Sequence, residues 1–67
     1  MNTQKEINLE NLPITMRVED LMPILGIGRN TAYNLVRSRQ IFSIRIGRQL
    51  RIPRAALIAF LRGEEFR

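Results

Sequence analysis

Five side chains that can form hydrogen bonds recur on one side of the segment 29–37. They are Arg29, Asn30, Tyr33, Asn34 and Arg37. Asn30, Tyr33, Asn34 and Arg37 follow Arg29 by one, four, five and eight residues, which places all five on one helical face. Guanidinium and amide groups on such a face match the donors and acceptors of base edges in a DNA major groove. The pattern therefore favours recognition of base edges rather than the making or breaking of bonds.

Each of these residues also has a purely structural interpretation. Asn30 and Asn34 could simply be solvated, although Asn is a poor helix former in a helix interior. Tyr33 could pack its ring at the helix edge or give its hydroxyl to a phosphate, and the sequence leaves both open.

Two apolar stripes flank the segment 26–28. The first contains Leu21, Met22, Ile24 and Leu25, and the second contains Ala32, Leu35 and Val36. Gly26 can adopt the positive φ that ends a helix, and Gly28 is a tolerated N-cap that also permits close approach of DNA. The pattern predicts a helix-turn-helix whose second helix, at about 29–38, is the recognition helix.

Pro23 limits the first helix. This helix either starts late, near Asp20, or is kinked at Pro23. We favour a start near Val18, with Glu19 and Asp20 in the first turn beside the positive end of the dipole. It should be short and distorted at Pro23, which lacks an amide hydrogen. Arg39 follows the recognition helix where Gly would be easier, so we expect it in a left-handed conformation.

The segment 42–52 alternates apolar and basic residues on both sides of a turn. This period of two predicts a β-hairpin with Gly47, Arg48 and Gln49 at the turn. The apolar residues Ile44, Ile46, Leu50 and Ile52 are expected to face the helices. The outer face and tip should then carry Arg45, Arg48, Gln49 and Arg51. A hairpin in this position is a wing, although Arg45 and Arg51 could also serve only to protect a strand edge.

A third helix is predicted at residues 54–62. Pro53 suits the first position of a helix, Gly63 suits its end, and the core face should carry Leu57, Phe60 and Leu61. We expect a flexible N-terminal tail at 1–13, one domain at 14–63 and a C-terminal tail at 64–67. Thr15 to Arg17 could form a short extended arm before the first helix.

The charge distribution is the informative part of the composition. The 67 residues carry a net charge of +5, and ten of the eleven basic residues are Arg. Between Leu21 and Gly63 there are eight Arg and no acid. A folded segment of this kind presents a continuous positive field, which favours a polyanionic partner. An Arg-rich surface without a partner would be expected to intersperse acids for solubility.

The sequence lacks the residues that several classes of chemistry require. The sequence has no His and no Cys, so the commonest metal ligands and nucleophile–base pairs are absent and no cofactor is expected. Gly26-Ile27-Gly28 lacks the Lys and spacing of a phosphate-binding loop. Tyr33 beside several Arg could suggest a recombinase nucleophile, but that chemistry needs a much larger catalytic domain. No apolar run near 18 residues and no signal-peptide pattern is present, so we expect a cytoplasmic, nucleoid-associated protein.

The most specific motifs are G-x-x-R-x-T-x-Y at 26–33 and R-I-G-R…R-I-P-R at 45–54, followed at once by a helix. With Met16 to Leu21 before them, they resemble the excisionase-type helix-turn-helix family over about residues 14–62. The resemblance implies a MerR-like fold that is mainly α with a small β-hairpin, a three-helix winged helix-turn-helix.

By position, the resemblance implies that different residues contact different parts of double-stranded DNA. Base edges would be contacted by Arg29, Asn30, Asn34 and Arg37, and the backbone by Thr31 and Tyr33. The wing residues Arg45, Arg48, Gln49 and Arg51 would lie along the adjacent minor groove.

The expected role is an accessory factor in recombination of a mobile element. It would be a monomer that binds adjacent sites, bends DNA and assists a separate integrase. A small transcriptional repressor acting by occlusion is the alternative. A protein-interaction adaptor is a third possibility, and its only candidate for an exposed apolar contact is Ile58.

Overall fold

The computed structural model describes residues 11–66 of the chain, so most of the tail predicted at 1–13 lies outside the described residues. The strands are β1 (Thr15–Met16), β2 (Ile44–Ile46) and β3 (Gln49–Pro53), and the helices are α1 (Leu21–Leu25), α2 (Arg29–Arg37) and α3 (Arg54–Arg62). The 3-10 helix Val18–Asp20 leads directly into α1. Three helices and a small antiparallel sheet in the order β1-β3-β2 confirm the predicted winged helix-turn-helix.

The first half of the helix-turn-helix accommodates Pro23 without an interruption. The helical segment begins at Val18 as predicted, but its first three residues are 3-10 helix. Pro23 is therefore only the third residue of α1, within the first turn, where no amide hydrogen is needed. Gly26 ends the helix at φ 69°, and the amides of Gly26 and Ile27 both donate to the Met22 carbonyl.

The recognition helix α2 ends at Arg37, one residue earlier than predicted, with Ser38 as its C-cap. Arg39 has φ 65°, so the expected left-handed conformation is confirmed. The change of chain direction at Arg39 lets the amides of Gln40 and Ile41 both donate to the Leu35 carbonyl, at 3.0 and 3.1 Å. Ile41 is thereby turned inward and is completely buried, a core role that the sequence analysis did not assign to it.

The sheet joins the wing to the segment that precedes the helices. Met16 pairs with Ile52 and Thr15 with Pro53, so the expected extended arm is a third strand. The hairpin strands β2 and β3 pair Ile46 with Gln49 and Ile44 with Arg51. The loop therefore consists of two residues, Gly47 and Arg48.

The prediction that Ile44 and Ile46 face the helices is wrong. These side chains are 42% and 59% exposed. A three-residue loop would have set Ile46 opposite Leu50, whereas the observed loop has two residues, with Gly47 at φ 62°. A register shift of one residue moves a side chain to the other face of the sheet.

The observed register also divides the basic residues of the wing. Residues opposite one another in paired strands share a face. Arg45 therefore lies on the same face as Leu50, and the prediction that it lies on the outer face is wrong. Arg51 and Gln49 share the outer face with Ile44 and Ile46.

The third helix follows β3 with no connecting loop. Pro53 is both the last residue of β3 and the N-cap of α3, at φ −62° and ψ 142°, rather than the first helical residue. Gly63 ends the helix at φ 72°, as predicted. Leu61 is 47% exposed, so its assignment to the core face is wrong. The buried stripe centres on Ala56 and partly buried Phe60, and Leu61 lies about 100° away from Phe60 around the helix axis.

One hydrophobic core holds these elements together. Its fully buried large side chains come from β1, α1, the segment after α2, β3 and α3: Met16, Leu21, Ile41, Ile52 and Leu57. The recognition helix contributes Ala32 and Val36 to the same cluster. No polar or charged side chain is buried in the part of the chain that the structure describes. The buried contacts that position α2 are therefore all apolar.

Contacts at both ends of the described segment extend past the predicted domain bounds of 14–63. Leu12 packs against the core, and its carbonyl accepts a hydrogen bond from Arg54 Nη1 at 2.7 Å. The amide of Arg54 donates to the Ile14 carbonyl at 2.7 Å. Near the other end, the Phe66 ring lies 5.2 Å from the Phe42 ring. Leu12 and Phe66 are thus part of the packed body.

Leu57→Ala should destabilise the fold by about 2–5 kcal/mol, because it leaves a cavity in the core. Leu61→Ala removes the same atoms from an exposed site and should change the free energy of unfolding by about 0.5 kcal/mol or less. Urea unfolding followed by circular dichroism would measure both. Equal losses in the two variants would contradict the assignment of the buried face of α3.

Candidate nucleic-acid interface

The exposed face of α2 brings the predicted recognition residues together. Four of them are exposed and Tyr33 is half-buried. They line a shallow depression of about 390 Å³ formed by Arg29, Asn30, Tyr33, Asn34 and Arg37. The remaining faces of α2 direct Ala32 and Val36 into the core. The polar face is therefore held outward by the burial of the opposite side of the same helix.

The start of α2 carries the other two predicted residues of this surface. Thr31 is exposed in the first turn, and Gly28 is the N-cap at φ −84° and ψ 175°. A Cβ at position 28 would meet no atom within 4 Å. Neither the backbone conformation nor the space inside the free protein requires glycine at position 28.

A carboxylate from outside the helix is part of this surface. The Tyr33 hydroxyl donates a hydrogen bond of 2.7 Å to Glu19 Oε2, and Arg29 Nη1 lies 3.8 Å from the same oxygen. The guanidinium carbon of Arg37 lies 5.5 Å from the centroid of the Tyr33 ring, within the range of a cation–π contact. Glu19 thus connects the 3-10 helix to the start and the middle of α2, and Tyr33 in turn contacts Arg37 near its end. We call Glu19, Arg29, Tyr33 and Arg37 the Glu19 network.

Hydrogen bonding sets the protonation states in this network. The hydrogen bond from Tyr33 lowers the pKa of Glu19, as do a backbone hydrogen bond and the charges of Arg29 and Arg17, while desolvation acts in the opposite direction. The hydrogen bond to Glu19 also raises the pKa of Tyr33, with desolvation and the Glu19 charge acting in the same direction. At neutral pH Glu19 is therefore an anion and the Tyr33 hydroxyl keeps its proton.

The wing presents its polar residues in two directions. Arg51 Nη2 donates to Gln49 Oε1 at 2.6 Å on the outer face, and Arg48 is exposed at the tip. Arg45 Nε donates to the Gly47 carbonyl at 3.4 Å on the face that it shares with Leu50. The structure therefore joins Gln49 and Arg51 on one face of the hairpin, leaves Arg48 at the tip, and places Arg45 on the other face.

Sequence reasoning missed the contact of Glu19 with the recognition helix. It assigned this residue only to the dipole of the first helix. The signal available in the sequence was its position beside a long segment without acids, at residues 21–63. An acid there has many possible basic partners, and the sequence does not say which one it meets.

Residues 11–66 contain neither a metal-ligand cluster nor a membrane-spanning helix. No group of three or more His, Cys, Asp or Glu side chains there could hold a metal ion. None of the helices in that range is long and apolar enough to cross a membrane.

An exposed polar helix beside a basic hairpin, on a three-helix core, defines a winged helix-turn-helix DNA-binding domain. A family described as helix-turn-helix domain matches residues 15–65. A relative from Saccharopolyspora erythraea, described as a probable excisionase, is 48% identical over 44 residues. The chain belongs to this helix-turn-helix domain family.

The alignment with that relative covers only part of each chain. It covers 66% of this chain and 45% of the relative, so this chain spans less than half of the relative's length. No solved structure matches the chain.

Tyr33→Phe should raise the pKa of Glu19 toward its ordinary value, because the hydrogen bond that favours the carboxylate is lost. A carboxyl whose pKa is lower in the folded than in the unfolded protein stabilises the fold at pH values above its unfolded pKa. This stabilisation is lost as the pH falls through the folded-state pKa. The Glu19 contribution should therefore vanish on acidification in the unchanged protein and be smaller in Tyr33→Phe. NMR titration of the Glu19 carboxyl carbon would measure the midpoint. Phe42→Leu alters an aromatic residue outside the network and should leave the midpoint unchanged; an unmoved midpoint in Tyr33→Phe would contradict the contact.

Proposed function

We propose that this protein binds double-stranded DNA sequence-specifically, with α2 in the major groove and the wing along the adjacent minor groove. The observation that carries this proposal is the exposed face of α2, where five hydrogen-bonding side chains converge. The absence of acids from residues 21–63 adds a sequence-independent attraction to phosphate.

Within α2 the proposed contacts divide by position. Arg29, Asn30, Asn34 and Arg37 would contact base edges, since Arg and Asn make bidentate contacts to guanine and adenine. Thr31 and the backbone at Gly28 lie at the start of the helix, where contacts to phosphate are common. The Tyr33 hydroxyl can donate to a phosphate only if it leaves Glu19, because it carries one hydrogen.

In the wing, Arg48, Gln49 and Arg51 are the residues best placed for a shared groove contact. Arg48 is at the tip, and Arg51 and Gln49 are joined on the outer face. Arg45 points to the opposite face of the hairpin, so we propose for it a contact to the backbone at the edge of the groove.

We further propose that the protein acts without catalysis as an accessory factor in site-specific recombination. Support comes from the relative described as a probable excisionase and from the small packed body, which can cover DNA, bend it or touch a neighbour. Its partners would be DNA, neighbouring copies on DNA and a recombinase, in the cytoplasm at the nucleoid. Repression by occlusion of an operator is the alternative role.

The recognition helix and the wing should differ in their effects on binding. Asn30→Ala or Arg29→Ala should relax base preference and cost about 1–3 kcal/mol on the preferred site. Arg48→Ala should weaken binding on many sequences, unless the tip contacts a narrow A·T minor groove, and should reduce the slope of log K against log salt by about 1. Selection from a random duplex library and a salt titration would measure these effects.

Arg62→Ala is the matched control for Arg29→Ala and Arg48→Ala, because it removes one positive charge from the C-terminal end of α3. It should leave base preference unchanged. Selection of the same site by the Asn30→Ala and Arg29→Ala variants would refute the assignment of α2 as the recognition helix.

An accessory role in recombination predicts bending of the target DNA. A wing and a recognition helix on one side can engage more backbone on a bent duplex, which offsets a bending cost of a few kcal/mol. Circular permutation gels with tandem and inverted half-sites should show cooperative binding and bending on tandem sites. A stable dimer on an inverted repeat of straight DNA would instead support the repressor role.

A further inference from the structure

We propose that Glu19 sets the sequence discrimination of the recognition helix, by positioning Arg29 and Tyr33 and by weakening their attraction to phosphate. This inference rests on the proposed function, since it concerns how the same surface separates its preferred site from other DNA. Glu19 is a positioning residue in this account and contacts no base.

The first step concerns Arg29, the first residue of α2. The N-terminal residues of a recognition helix are those that most often reach base edges. A guanidinium has five N–H donors, and the contact of Nη1 with Glu19 at 3.8 Å leaves the others available. A restrained Arg loses less conformational entropy when it meets a guanine, which favours the base contact over the many possible phosphate contacts.

The second step concerns Tyr33. Its hydroxyl hydrogen is already given to Glu19 at 2.7 Å, so a phosphate must displace a charged acceptor to obtain it. The ring held in this way also lies beneath the Arg37 guanidinium, at 5.5 Å. One carboxylate therefore restrains Arg29 directly and Arg37 through Tyr33, at the two ends of the same helix.

The third step concerns charge. Non-specific binding to DNA consists almost entirely of attraction between basic side chains and phosphates. A carboxylate beside Arg29 opposes this attraction on every sequence, whereas the base contacts form only on the preferred site. Glu19 should therefore weaken non-specific binding more than specific binding. Its carboxyl is charged at neutral pH, because even the ordinary pKa of Glu is acidic and the pKa of Glu19 is lower still.

The neighbouring acid provides a matched control. Asp20 accepts a hydrogen bond from the Arg17 amide at 3.0 Å and pairs with the Arg17 guanidinium at 3.9 Å. None of its described contacts involves α2. Asp20→Asn and Glu19→Gln thus make the same change in net charge one residue apart, and both replacements keep an oxygen that can accept a hydrogen bond.

The experiment compares dissociation constants for the selected site and for a scrambled duplex at one salt concentration. Glu19→Gln should tighten binding to the scrambled duplex by about two- to fivefold, the size expected for an exposed charge pair. Binding to the selected site should tighten less or weaken, so the dissociation constant of the scrambled duplex divided by that of the selected site should fall, by about twofold or more where binding to the selected site is unchanged. Asp20→Asn should leave this ratio unchanged. Tyr33→Phe should lower it by a smaller factor, because Glu19 still faces Arg29.

Two further measurements separate the possible outcomes. Relaxation of the Arg29 Nε in the free protein should show greater motion in Glu19→Gln and unchanged motion in Asp20→Asn. Thermal unfolding establishes whether each variant is folded. If Glu19→Gln is unfolded, the comparison is made with Tyr33→Phe instead. An unchanged ratio in Glu19→Gln, or an equal fall in Asp20→Asn, would overturn the inference while leaving the proposed function intact. If the unchanged protein shows no preference for any duplex, the proposed function fails at the first step and the inference fails with it.

Discussion

The burial of Ile41 and Ile52 against Leu21 and Leu57 is the interaction on which the rest of this structure depends. These side chains come from four separate parts of the chain and are all completely buried. A domain of this size has a single small core and only a few kcal/mol of net stability. The same cluster includes Ala32 and Val36 of α2, so the recognition helix, the sheet and α3 cannot shift independently. The geometry of the proposed interface is thus a consequence of apolar packing.

The polar surface of the domain combines attraction with restraint. Eight Arg and no acid between residues 21 and 63 supply attraction to a polyanion, but such attraction is the same for every DNA sequence. The Glu19 network adds a fixed anion next to this basic segment, with hydrogen bonding to Tyr33 and a charge contact to Arg29. An acid that contacts no base can therefore matter for recognition, because it determines where the neighbouring basic side chains lie before DNA arrives.

The wing shows how a small change in turn length alters a surface. A two-residue loop places Arg51 and Gln49 beside the exposed Ile44 and Ile46, and places Arg45 with Leu50. The outer face is therefore mixed, with apolar side chains that can contact sugars alongside donors for phosphate. The central strand β3 remains anchored through Ile52, so the hairpin projects from a fixed base.

The sequence by itself determined the fold class, the helix ends and the recognition face. Gly26, Arg39 and Gly63 have the left-handed conformations that their positions predicted, because helix ends depend on local backbone geometry. The face of α2 followed from periodicity within nine residues. Tertiary structure decided the rest. The hairpin register depends on a one-residue difference in loop length, the exposure of Leu61 depends on which side of α3 meets the core, and the contact of Glu19 with Tyr33 joins residues fourteen positions apart. Such choices are made by packing between distant segments, which no local pattern of residues specifies.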